Sequence, residues 1–204
     1  MIPKVRFVYS PVYQMVVLEL RTGLTKYDEK VFGKISRDVW KHEDIKKKKD
    51  YAKRLQLIWD KEGVRALMAM SRIVGFGWDE KIIKCYLLDS SQSFSDPMTI
   101  RASYDIERDI EGTLHEMGHN LEVQNLDKIN WKRYNREFGK EDISVRHHIL
   151  LHAILKLAYV RAFGHAKAEK YLSFYGTMPH TYARAWEIVN SYGAEKIIKD
   201  FIKG

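Results

Sequence analysis

The sequence predicts an α+β protein, mostly α, with a small sheet in its first half and a helical second half. Three observations predict it. Runs that alternate or carry β-branched residues occur before position 105, as KVRFVY (4–9), KIIKCYLL (81–88) and MTIRASY (98–104). From Asp105 almost to the end the apolar pattern has a helical period, broken near Gly139, Gly164, 176–179 and Gly193. No repeat, low-complexity tract or Gly/Ser/Pro-rich linker interrupts the 204 residues, so they read as one domain, 1–204. Within it, 1–97 holds charged helices and strand, and 98–204 holds an edge strand and the remaining helices.

After the first strand, Ser10-Pro11 reads as an N-cap followed by proline at the first helical position, opening a helix to about Leu20. Two charged amphipathic helices are expected at about 28–49 and 50–73. VGFGWDE (74–80) is a turn and DSSQSFSDP (89–97) a loop. The next helix runs from Asp105 to about Asn125. Its stripe of Ile106, Ile110, Leu114, Met117 and Leu121 steps by four, four, three and four. Asp105, Glu107 and Asp109 suit the positive end of its dipole.

Composition narrows the function. With 45% hydrophobic residues the chain can bury one sizeable core. Cys85 is the one cysteine, so no internal disulfide forms, and its apolar strand makes it an inert core residue. The N-terminus lacks the pattern of a signal peptide, and no apolar run is long enough to span a membrane. A cytoplasmic protein with no membrane partner is therefore expected. Abundant Lys, Glu, Ile and Tyr with sparse Gln and Asn match a thermophile's composition. The net charge is +8, and the run Lys46–Lys49 raises nucleic acid as a partner. Acids flank that run at Glu43, Asp44 and Asp50, which makes it a solvated helix face instead.

The chemistry concentrates in TLHEMGHNLE, residues 113–122. His115 and His119 stand one helical turn apart on one face and can reach a single metal ion. Glu116 is rotated away from the pair but can lean toward a water on that ion. Zn2+ lowers the pKa of its water, the glutamate takes the proton, and the hydroxide attacks a polarised carbonyl. Gly112 and Gly118 accompany the motif. Two glycines inside one helix point to close approach of another backbone or a ligand.

HEMGHN resembles the active-site helix of the zincin metallopeptidases. The metzincin pattern continues with a glycine and a third histidine, and here those positions hold Glu122 and Asn125. The resemblance is therefore to the gluzincin-like zincins, whose third ligand comes from a separate downstream helix. It covers about 98–125. It implies a zincin-like fold, extended substrate along an edge strand at 98–104, and a peptide or unfolded protein as substrate.

The third ligand is sought downstream. In the helix at 142–164, His148 and His152 share the apolar face with Leu151, Leu155, Tyr159 and Ala162, and His147 lies at its margin. Either His148 or His152 completes the site. The other supports a ligating imidazole or steadies an oxyanion. Glu187 is the rival, but it lies opposite the apolar side formed by Tyr182, Ala185, Trp186 and Val189, near Arg184. Glu122 would crowd its own helix. Tyr159, Tyr171 and Tyr175 are weaker oxyanion candidates, and Ser90, Ser91 and Ser93 lack the context of a nucleophile. The reading is a zinc-dependent metallopeptidase with Glu116 as general base and later proton donor. Two alternatives stay open. One is a non-catalytic zinc-binding module closed by four histidines, and the other is a basic nucleic-acid-binding protein.

Overall fold

The structure, a computed structural model, describes residues 1–22, 41–89, 92–173, 175 and 180–203. In order it contains β1 (Lys4–Val8), α1 (Pro11–Thr22), α2 (His42–Val74), β2 (Ile82–Leu88), β3 (Phe94–Ser95), β4 (Met98–Arg101) and α3 (Ile106–Val123). A 3-10 turn (Leu126–Lys128) leads to α4 (Trp131–Phe138), α5 (Ile143–Phe163), α6 (His165–Ser173), α7 (His180–Tyr192) and α8 (Ala194–Phe201). The class is α+β and mostly α, with the sheet in the first half. No helix among the described residues is long and apolar enough to cross a membrane.

The packing falls into two compact units. Unit 1 comprises 1–3, 61–81 and 117–204, and unit 2 comprises 4–60 and 82–116. Two of the crossings lie inside continuous helices, within α2 and within α3.

Unit 2 holds the sheet, in the order β1-β2-β4-β3. The pairs β1-β2 and β2-β4 are parallel, with Val5 opposite Ile83 and Leu87 opposite Ile100. Ile83, Cys85 and Leu87 alternate into the core. Cys85 is fully buried, and burial pushes its thiol well up, which keeps it protonated. Ser10 caps α1 by accepting from the Tyr13 N–H at 3.2 Å. Lys48 turns inward to Asp89 and Tyr9, while Lys46, Lys47 and Lys49 are exposed.

Two expectations are corrected in unit 2. The strand at 98–104 is shorter than expected and is not an edge. β4 ends at Arg101, and β3 pairs with it antiparallel through Phe94-Thr99 and Ser95-Met98. The Arg101 N–H donates to Ser93 Oγ at 3.2 Å, so its second side is occupied there too. Residues 94–95 make that pairing, and β4 offers no open ladder for an extended substrate. The two charged helices are one where they are described. Nothing between Lys49 and Asp50 stops a helix, and α2 runs unbroken from His42 to Val74. The part of the expected first helix at 28–40 and the break at 176–179 lie outside the described residues.

In unit 1, α5 packs against α6, α7 and α8. It is buried on nearly every side, including Ile149, Leu150, Ala153 and Ile154 as well as the face expected. Asn125 closes the end of α3. Its Nδ2 donates to the Gly77 and Leu121 carbonyls, both at 2.8 Å, and its Oδ1 accepts from Lys128 at 2.8 Å.

Candidate metal centre

Helix α3 starts from an N-cap. Asp105 Oδ1 accepts from the N–H groups of Glu107 (3.0 Å) and Arg108 (3.3 Å). One turn on, buried Asp109 accepts from Tyr51 Oη (2.6 Å), Ser103 Oγ (2.6 Å) and the Ser103 N–H (2.9 Å). These bonds tie the start of the site helix to α2 and to the loop after β4. His115 and Glu116 follow about two turns later, both buried.

The continuous helix sets His115 against His119, and the packing of α5 within unit 1 sets His148 against His119. The rings of His119 and His148 stand 5.0 Å apart at 80°. Among the described residues, one group of His, Cys, Asp or Glu can hold a metal: His115, His119 and His148, each offering a ligand atom within 4.8 Å of the others. A tetrahedral zinc about 2 Å from each nitrogen needs nitrogen separations of about 3.4 Å.

His148 is oriented from behind. Its Nδ1 lies 2.6 Å from the Ser144 carbonyl, one turn earlier in α5. A carbonyl only accepts, so Nδ1 carries the proton and Nε2 keeps its lone pair for a metal. Desolvation, with smaller contributions from His148 and His147, pushes His119 down to about 3. Desolvation also lowers His148 and His152. These imidazoles stay neutral, which is the form that ligates. Burial, with the Glu111 charge as a lesser cause, pushes Glu116 up to about 8. A set of three imidazoles with a neighbouring glutamate fits zinc.

The other expected residues fall elsewhere. His152 is outside the group. It lies one turn beyond His148, fully buried, with its ring 5.5 Å from His148 and 4.5 Å from Tyr175. Glu187 is exposed and pairs with Arg184 at 3.2 Å, as its helix position predicts. Glu122 is buried on α3 but is not one of the group. Tyr159 and Tyr171 pack on each other at 5.2 Å in the core, away from any role the site requires. Ser90 and Ser91 lie outside the described residues.

Two contributors were missed in the sequence. The Ser144 carbonyl was legible, since a helical residue four before a ligand is its neighbour. Tyr182, whose ring lies 4.2 Å from that of His148 and tilted 42° to it, was read only as part of an apolar face, because the approach of α7 to α5 has no local signal.

Gly118 has a different reason from the one expected. A Cβ there would overlap Leu151 Cδ1 on α5 and meet Met70 Cε at 3.3 Å. A side chain of unit 1, rather than a backbone or a ligand, occupies the space. A Cβ at Gly112 would meet nothing within 4 Å, and the structure gives no account of that glycine. Gly118→Ala is expected to cost about 1–3 kcal/mol in chemical denaturation. Gly118→Ala with Leu151→Ala should cost less than the sum of the single changes. Strict additivity would sink this explanation.

Compared with family models, curated proteins and solved structures, the chain matches none.

Proposed function

We propose that the chain is a zinc-dependent hydrolase of peptide bonds, acting on peptides or unfolded protein. His115, His119 and His148 are its ligands and Glu116 its general base. One observation carries the reading: three imidazoles from two helices gather around one point, and a buried glutamate follows the first of them. Bound zinc would supply a Lewis acid that acidifies water and polarises a carbonyl. Glu116 accepts the proton of the attacking water and returns it to the leaving amine. Ser144 and Asp109 do not react. They hold the His148 imidazole and the start of the site helix. Three protein ligands is the count of catalytic zinc sites, and four that of structural ones.

The second reading is a non-catalytic zinc module. The observation favouring it is His152, whose ring is 5.5 Å from His148 and could join as a fourth ligand.

Elemental analysis of the purified protein tests both. About one zinc per chain is expected. It should be lost in His115→Ala and His148→Ala and kept in His152→Ala and Glu187→Ala. Loss in His152→Ala would favour the closed module. No zinc under any loading condition would end both readings.

A further inference from the structure

We infer that a cavity along α5 is a second binding site, for short apolar peptides with free ends, which hold their carboxylate at Arg161 and their ammonium at Glu195. None of His115, His119 and His148 lines it, so the site stands whether or not the chain is a hydrolase.

The cavity is about 540 Å³ and lies wholly within unit 1. Sites for small ligands typically measure about 300–1,000 Å³. The lining is mostly apolar, with Ile73 at the end of α2, Leu157 and Val160 on α5, and Leu172 on α6. These four are half-buried, so part of their apolar surface meets water. An apolar ligand that covers it is bound favourably.

Charges of both signs surround this floor. Arg161, His165, Glu169 and Glu195 all line it and all are exposed. Among the described residues, no ion pair engages Arg161, Glu169 or Glu195. Lys156, the other cation of the lining, is held elsewhere. Its Nζ donates to Asn190 Oδ1 at 2.7 Å and stands 5.3 Å from the centre of the Trp186 ring. Arg161 is reinforced by its neighbours. It also lines a depression of about 180 Å³ with Arg65 and Arg72, and no acid lines that depression. Arg65 Nη2 donates to the Ala162 carbonyl, which fixes one of these guanidinium groups beside Arg161. This end of the cavity attracts an anion, and a guanidinium matches a carboxylate with two parallel hydrogen bonds.

The acid lies toward the other end. The Lys156–Asn190 bond joins α5 to the end of α7, and Glu195 follows at once in the first turn of α8. Arg161 is five positions beyond Lys156 on α5, a rise of about 7.5 Å. An extended chain spans about 3.3–3.6 Å per residue, so about two or three residues connect the two charges. A free amino acid carries both of its charges on one carbon and reaches only one end. A fatty acid would satisfy Arg161 and cover the floor, but its apolar tail would end at Glu195.

The test is binding, read at the cavity itself. Glu116→Gln protein, in which no cleavage is expected, is titrated with tri-leucine, its N-acetyl and C-amide derivatives, and decanoate. The methyl resonances of Leu157, Val160 and Leu172 are followed. Tri-leucine should shift them and bind about fivefold tighter than either blocked form, the most that a charge pair in contact with water supplies. Arg161→Gln should abolish the difference between acid and amide, and Glu195→Gln that between amine and acetyl, each leaving the other in place. Both residues are exposed, so neither change should disturb the fold. Methyls that do not move, blocked forms that bind as well as tri-leucine, or differences that survive both changes would overturn the assignment. Decanoate bound more tightly than tri-leucine, and weakened by Arg161→Gln, would overturn it too and make the cavity a site for an anionic amphiphile.

Discussion

Glu116→Gln is expected to keep zinc and to slow peptide hydrolysis by about 10²–10⁴-fold. The two side chains have the same shape, and Glu116 is buried beside His115, so the helix and its imidazoles should not move. What changes is a single property: a glutamine oxygen does not take up a proton at neutral pH. The measurement is turnover of a quenched fluorescent peptide mixture, with metal content determined on the same sample. Unchanged turnover with zinc retained would remove Glu116 as the base. Zinc lost along with turnover would make Glu116 part of what holds the metal.

The second large effect is one of stability. Asp109→Ala should destabilise the protein by about 2–4 kcal/mol in urea unfolding, because three donors lose one buried acceptor. Tyr51 is itself buried, so water cannot replace the carboxylate at its hydroxyl. Asp109→Asn keeps one accepting oxygen and should lose less. A loss below about 1 kcal/mol for the alanine change would show that the network adds little beyond local packing. The change lies well before His115, so metal content should survive it wherever the protein stays folded.

Much of this molecule is local, and the local part was legible. The period of the stripe from Ile106 to Leu121, the Ser10-Pro11 start and the Gly164 stop each depend on near neighbours, and each appears where expected. The pairing of Glu187 with Arg184 follows from helix position alone, and it forms. The strand at 98–104 was misread as an edge because edge status is set by pairing. Only the return of 94–95 across β4 decides it. One continuous α2 in place of two helices reflects the converse case, in which a charged sequence without a stop signal offered no reason to divide it.

The sequence by itself determined the helix that carries His115, Glu116 and His119, because a four-residue step fixes two side chains on one face without help from elsewhere. It also placed His148 and His152 one turn apart on a second helix. It could not choose between them, since both share a face and differ only in what lies opposite. Tertiary structure decides which of them stands beside His119. Leu151 fills the space left at Gly118 in unit 1, and His148 comes to 5.0 Å from His119 while His152 is buried among the rings of Tyr175 and Trp186. Helical periodicity says which way a side chain points, and only the packing of one helix on another says what it meets.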